Sequence, residues 1–347
     1  MDNQTDKVLQ SPLFSVVVLH YNQPDYWREA VLSVLRQDYP ALELVFQDDA
    51  SATFVQKDVE AFIEEHKQEN LQRYVVQSNP RNAGTAENCD NGAAACTGEY
   101  VLFLDGDDAL AEDDVVSKFV ASFAALPDSE NIVTANCQIC DEKLVGDRIL
   151  RTKEDCEKLD ALTARQQYEM LYTNFFPVPS CTAFRRRIFT QCGGFKVPHI
   201  VYSQDGYYYC HVARLGNKFH AVEFVASKHR AGGIAANKTH ALSANQIALV
   251  VEFMHVGEQE YFPYLDTFSE ENRDAIIARY YENLSSYRMA TDGGIDYGIP
   301  EPGYALLCRW SKKVGVASDF QKRTFKYCLS TVLKKSKIQI ANVLKRT

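Results

Sequence analysis

No apolar run of about 18 residues or more occurs in this 347-residue chain, so no membrane-spanning helix is expected. The opening stretch, MDNQTDKVLQSP, lacks both a basic flank and an apolar segment, so it does not read as a signal peptide. Paired metal-ligand spacing is missing too. Of ten cysteines only Cys137 and Cys140 form a CxxC, with no second pair nearby, which argues against a zinc site. The thiols are expected to be reduced and mostly buried, in a cytoplasmic protein. There is no internal repeat and no low-complexity segment. Positive charge is scarce over most of the chain. Residues 310–347 hold ten Lys or Arg against the single acid Asp319, so the first 309 residues carry −18 of a net −9. That balance excludes nucleic acid as a partner of the body. The basic tail, 310–347, is expected to make peripheral contact with an anionic membrane face or to fold onto the acidic body.

What is present is ordinary globular material. Hydrophobic residues make up 46% of the chain, with 19 Phe and 19 Tyr, enough to bury a core. Phe14 to Leu19 is a β-branched apolar run that reads as a buried strand. Pro24 precedes a helical pattern with Trp27, Val31, Val34 and Leu35 on one face. A strand over 42–46, a helix over 54–68 and a strand over 73–77 follow. A small-residue helix over 84–97 leads to the clearest buried strand, Tyr100 to Leu104. Helix 115–123 and strand 131–140 come next, then helix 163–172, strand 181–189 and helix 203–215. A last strand at 222–226 precedes a loop, Lys228 to Gly233. Helices are expected over 240–256 and 270–290, with a Gly/Pro-rich break at 291–303. This alternation predicts an α/β fold with a mostly parallel sheet covered on both faces. Residues 1–235 are expected to form the catalytic domain and 236–347 a helical C-terminal region.

In such a sheet, ligands bind at the carboxyl ends of strands. Two strand ends are acidic: Asp48-Asp49, and Asp105-Gly106-Asp107-Asp108. Carboxylates gathered there repel one another, and a cation relieves the repulsion. Hard oxygen ligands suit Mg²⁺ or Mn²⁺, ions that commonly bridge protein to phosphate. An isolated Asp-Gly-Asp is as readily a solvated turn. The apolar strand before it and the second acidic end upstream favour a metal–diphosphate site.

Four segments in order resemble family 2 glycosyltransferases. They are SVVVLHYNQPDYWREAVLSVLRQDYPALELVFQDDAS, GEYVLFLDGDDAL, PVPSCTAFRRRIFTQCGGF and VYSQDGYYYCHVARLG. The resemblance covers roughly 12–235. It implies a GT-A fold, a Rossmann-like three-layer sandwich around a mixed sheet. It also implies an inverting enzyme that moves a sugar from a nucleotide donor, expected to be a UDP-sugar, to a saccharide or lipid-linked hydroxyl in cell-surface polysaccharide synthesis. By the same resemblance Tyr21 stacks on the donor base and Asp49 reads its edge. Asp105, Asp107 and Asp108 hold the metal and the ribose-diphosphate, and Asp205 is the general base. Ser203 precedes Asp205 as a candidate helix N-cap. The chain departs from the family at Gln204, where relatives often carry Glu, and at Cys89-Asp90, where many carry Arg-Asn. Arg81 or Asn88 is the candidate replacement for that donor contact. In the loop after the last strand, either His229 as metal ligand or Arg230 as cation is expected to meet the diphosphate.

Three rivals are weighed. A haloacid-dehalogenase-like phosphatase would want Thr or Val where Ala109 stands. A nucleotidyltransferase would want a Gly-rich basic loop after the first strand, which HYNQPDYW is not. A non-catalytic nucleotide-sugar binding module would tolerate loss of Asp205.

Overall fold

The computed structural model describes residues 11–230 and 243–290. Its first strand, β1 (Phe14–His20), is buried along its whole length, as an unbroken apolar run requires. Helix α1 (Trp27–Leu35), strand β2 (Leu42–Asp48), helix α2 (Gln56–His66) and strand β3 (Leu71–Ser78) follow. Then come α3 (Thr85–Ala95), β4 (Tyr100–Asp105), the two-residue β5 (Ala109–Leu110) and α4 (Val115–Ala124). Strand β6 (Ile132–Cys140), short β7 (Arg148–Ile149), α5 (Lys153–Ala161) and α6 (Ala164–Leu171) lead to a 3-10 turn at Pro179–Cys181. Beyond it lie β8 (Thr182–Arg185), the single-turn α7 (Ile188–Gln191), α8 (Gln204–Arg214) and β9 (Phe219–Arg230).

Among the described residues these strands make one nine-stranded sheet. Its order is β3-β2-β1-β4-β8-β6-β9-β5, with β7 paired to β6 off that path. The first four are mutually parallel. Strand β8 runs antiparallel to β4 and β6, and β9 returns parallel to β6. Even-numbered β1 and β2 residues, among them Val16, Val18, Leu44 and Phe46, form one core with Trp27, Val31, Ile63, Val116 and Phe119 from α1, α2 and α4. On the opposite face α3 sits so close that a Cβ at Gly92 would fall 2.6 Å from Val17 Cγ1. Helices thus cover both faces, and the mixed, Rossmann-like GT-A architecture expected from the sequence is the one found.

At the lower end of the sheet β2 carries a fully buried carboxylate, Glu43. It accepts hydrogen bonds from Ser15 Oγ (2.5 Å), Thr97 N–H (2.7 Å) and Thr97 Oγ1 (2.7 Å), and pairs with Arg73. Burial pushes its pKa up, but these donors prevail and hold it below the usual carboxylate range.

Several expected elements are corrected. The strand expected over 181–189 stops at Arg185, and α7 follows. Three arginines bend the chain there: Arg185 bonds Glu99, Arg186 bonds the Gly98 carbonyl and Arg187 bonds Asp128. The last strand is twice as long as expected. It pairs with β6 as far as Cys140↔Arg230, so Lys228 to Arg230 are strand and not loop. Elements β5, β7 and α5 were not foreseen. Helix α5 has the capping box Thr152/Asp155.

Residues 169–175 and 243–290 belong to a second compact unit. Helix α9 (Ala244–Val256) is opened by a Ser243/Gln246 capping box, and α10 spans Glu270–Ala290. Between them a π turn (Gly257–Tyr261) runs into a 3-10 turn (Phe262–Thr267). Tyr172 stacks on Phe253 at 5.1 Å, and Gly257 leaves room for the Tyr172 hydroxyl. The domain boundary at 235/236, the loop end Gly232-Gly233, the break at 291–303 and the tail 310–347 lie outside the described residues. All eight cysteines among the described residues are free thiols, and all but Cys192 are buried.

Candidate active site

Register places the two acidic strand ends on either side of β1. Its last residues align as His20↔Asp48 with β2 and Leu19↔Asp105 with β4. Tyr21, immediately beyond, is 45% exposed, an unusual position for a large aromatic at the rim of a sheet. The Asp105-Gly106-Asp107-Asp108 turn is held by Asp108 N–H to the Asp105 carbonyl (2.9 Å) and by Gly106 N–H to the Leu19 carbonyl (2.7 Å).

The three acids of this turn differ in environment. Asp105 is pushed up to about 8, by burial first and then by Asp108 and Asp107. Asp107 is also raised, by burial and then by Asp108, against an opposing hydrogen bond from Gln23. Neither carboxylate has a cation within salt-bridge distance among the described residues. Asp108 is fully enclosed and already satisfied. Its Oδ1 accepts from Arg230 N–H (3.0 Å), and its Oδ2 accepts from Ser180 Oγ (2.8 Å) and pairs with His229 Nδ1 (3.0 Å). Three contacts within the protein thus surround the carboxylate that the resemblance implied as a metal ligand. His229, raised to about 9 chiefly by the Asp108 hydrogen bond, carries a proton at neutral pH. The two side chains that the resemblance implied as metal ligands, Asp108 and His229, thus face each other.

Arg230 does not stand free to meet a diphosphate. Its guanidinium bonds Glu29 (2.6 Å) and the Asp107 carbonyl (2.8 Å) and lies 4.2 Å from the Tyr26 ring centroid, leaving the residue 5% exposed. Asn88 is likewise internal. Its Oδ1 accepts from Asn79 (3.0 Å), and its Nδ2 donates to the Gln47 carbonyl (3.3 Å). Both residues named as candidate donor contacts thus have partners within the fold. Arg81 is at the surface, 3.7 Å from Glu87. Asp49 is buried and accepts from Asn79 Nδ2 (2.8 Å), Ala83 N–H (2.8 Å) and Gly84 N–H (2.9 Å), which ties it to the N-terminus of α3.

Asp205 lies in the first turn of α8, where a carboxylate is favoured by the helix dipole. Burial nevertheless raises its pKa, against backbone hydrogen bonds from Gly206 and its own amide. Desolvation is thus the largest effect on this carboxylate. Ser203 occupies the N-cap position without a side-chain cap, contrary to expectation. The structure brings Asp49, Asp105 and Asp205 around one buried thiol. Cys89 is raised far above its usual range by burial and then by Asp105, Asp90, Asp205 and Asp49. Tyr207, Tyr208 and Tyr209, which follow Asp205 on α8, are all buried.

Three contributors were not singled out from the sequence. Gln23 reaches Asp107, and Ser180 braces Asp108 from the 3-10 turn. His20 pairs through Nδ1 with Asp48 (2.7 Å), which also accepts from Ser51 and Ser78. All three lie in the quoted segments, His20 and Gln23 in the first and Ser180 in PVPSC.

The Glycosyl transferase family 2 model matches residues 15–193. The chain belongs to glycosyl transferase family 2. The chain is 29% identical over 159 residues to an uncharacterized glycosyltransferase of Haemophilus influenzae, covering 46% of this chain and 59% of that one. It is 31% identical over 99 residues to the GalNAc(5)-diNAcBac-PP-undecaprenol beta-1,3-glucosyltransferase of Campylobacter jejuni, covering 28% and 31%. It therefore spans less than two thirds of these relatives' length. The fold is that of GT-A transferases of known structure. S. aureus TarS 1–349 in complex with UDP-GlcNAc superposes with TM-score 0.55 at 15% identity over 92% of each chain. The mannosyltransferase PcManGT of Pyrobaculum calidifontis, in complex with GDP-Man and Mn²⁺, superposes with TM-score 0.54 at 17% identity over 94% of this chain and 87% of that one.

Proposed function

We propose that this family 2 transferase moves a sugar from a UDP-sugar to a hydroxyl of a saccharide or lipid-linked acceptor in cell-surface polysaccharide synthesis, with inversion. The observation that carries the reading is the pair Asp105 and Asp107: two half-buried carboxylates with raised pKa values and no cation within salt-bridge distance among the described residues, at a strand end near Asp205. Their chemistry fits Mn²⁺ or Mg²⁺. Among the described residues no three or more His, Cys, Asp or Glu converge into a cage. Two carboxylates without a cage suit an ion that keeps waters and shares substrate phosphate. When bound, such an ion would supply charge stabilisation to the departing diphosphate.

The chain's own residues do the rest. Tyr21 offers an exposed ring to the base. Asp108 holds His229 in place, and the protonated ring, 41% exposed, adds positive charge beside the leaving group. Asp205 receives the proton of the acceptor hydroxyl as that oxygen attacks the anomeric carbon. Its raised pKa makes it a stronger base than a solvated aspartate. The bond to the diphosphate oxygen breaks on the opposite face.

The test is a thermal-shift and hydrolysis panel of UDP- and GDP-sugars with and without Mn²⁺. A UDP-sugar should stabilise the protein only with metal. Asp107→Ala should abolish that shift. Asp205→Asn should keep the shift and lower turnover by about 100-fold or more. Metal-independent binding, or full turnover by Asp205→Asn, would refute the assignment. Residues 310–347 are read as a basic anchor for the cytoplasmic membrane face, which would suit a lipid-linked acceptor.

A further inference from the structure

Helix α3 carries Asp90, and its carboxylate performs a task that an amide could not complete. Asp90 Oδ1 accepts the Phe195 N–H at 2.7 Å, and Oδ2 accepts the Lys196 N–H at 2.9 Å. One carboxylate thus takes two consecutive backbone amides. Asparagine has a single acceptor oxygen, and its NH₂ would face the second N–H donor to donor.

The sequence around this contact is shaped to admit it. Gly193, at φ +83°, turns the chain in the left-handed region with nothing near its missing side chain. Gly194 is glycine for another reason: a Cβ there would fall 2.7 Å from Asp90 Oδ2. Phe195 is then sealed among the rings of Phe103, Phe189 and Tyr208.

Two further ties join the same helix to the same segment. Lys196 Nζ lies 2.9 Å from Glu87, and Ala86 N–H donates to the Val201 carbonyl at 3.2 Å. Gly84 leaves space for Val201. Two residues past Val201, Ser203 opens α8, with Asp205 in its first turn. Just before the first turn of α3, the Ala83 and Gly84 N–H groups donate to Asp49.

We propose that Asp90 is a positioning residue: by gripping the Phe195 and Lys196 amides it fixes residues 193–203 on α3 and so sets the place of Asp205 relative to the bound donor. This rests on the reading of Asp205 as the base. Charge-assisted hydrogen bonds are the stronger kind, and a misplacement of about 1 Å in a reacting group can cost about 100-fold in rate.

The experiment uses the full chain with Asp90→Asn, Asp90→Ala and Gly194→Ala, the last of which pushes the carboxylate off its amides from the other side. Hydrogen–deuterium exchange of the ligand-free protein should show faster exchange in peptides covering 193–203, in the order wild type, Asn, Ala, with β4 unchanged. Hydrolysis of UDP-GlcNAc with Mn²⁺, or of whichever UDP-sugar the wild type turns over best, should show kcat falling about 10-fold in Asn and 100-fold in Ala. The donor KM should stay within about twofold, because the groups assigned to the donor are not touched.

A loss of kcat matched by a proportional rise in donor KM would mean general damage and would overturn the proposal. So would unchanged exchange at 193–203. Should the wild type hydrolyse no UDP-sugar, the functional reading fails by itself. The exchange order across the three variants would still decide whether Asp90 is the clamp. Where Asp90→Ala does not fold, Asp90→Asn and Gly194→Ala carry the same comparison.

Discussion

Asp105 keeps its proton to about pH 8 because burial and two neighbouring aspartates oppose its charge. The sign of the linkage follows. A carboxyl raised in the folded state favours folding below the unfolded value near 4, and that advantage is lost as pH climbs towards 8. The metal-free protein should therefore lose stability across this window, and Asp105→Asn should lose less. The difference in Tm between variant and wild type should widen from pH 5 to pH 8 and then level off. Each kcal/mol of relieved repulsion should appear as about 2–4 °C. Mn²⁺ with UDP should stabilise the wild type more at pH 8.5 than at pH 6. A flat difference across pH would mean that Asp105 is not the strained group. At this scale the sequence was informative about acids and poor about their partners. Residue types at strand ends picked out Asp49, Asp105 and Asp107, and the family resemblance added Asp205. That Asp108 would be spent on His229 and Ser180, and Arg230 on Glu29, depends on contacts 72 to 201 residues apart in the chain, which no local pattern encodes.

Helix α3 shows how an element's composition reports its packing. Its small residues were read as a sign of tight seating on the sheet, and Gly92 against Val17 is the tightest point. Gly92→Ala tests which effect wins. Alanine should gain about 1 kcal/mol of helix propensity, but a methyl 2.6 Å from a fully buried valine should cost about 1–3 kcal/mol in overpacking. A net loss of about 1 kcal/mol is expected, read as a lower urea midpoint with unchanged m-value. A gain in stability would show that α3 can slide. Elements such as β1, β4 and α4 were legible in the sequence, the strands as unbroken apolar runs buried on both faces and α4 through the spacing of its buried residues. The two-residue strands β5 and β7 were not, since they have no period to detect and exist only through pairing with β9 and β6. The end of β9 was misjudged because Lys228, His229 and Arg230 look like loop residues. Pairing with β6 and the Asp108 carboxylate make them strand.

On the scale of the whole chain, charge is divided between an acidic body and the basic residues 310–347. The protein should pellet with vesicles rich in anionic lipid at low salt and release them as salt rises, since such attraction is screened over about 10 Å at 0.1 M. Deleting 310–347 should abolish pelleting while leaving the Mn²⁺–UDP thermal shift intact. Equal pelleting by the truncated protein would remove the anchor reading and leave the transferase reading standing.

Strand β2 has a sealed carboxylate near each end, Glu43 below and Asp48 above, and each is matched to donors set by its neighbours. Sliding this strand along β1 by one residue would turn both acids into the opposite face, and sliding it by two would leave both stranded among hydrocarbon. Every mis-threaded arrangement would thus bury two orphaned charges at once. The same buried acids that look costly in the finished molecule act as a two-point lock on chain alignment while it is being made.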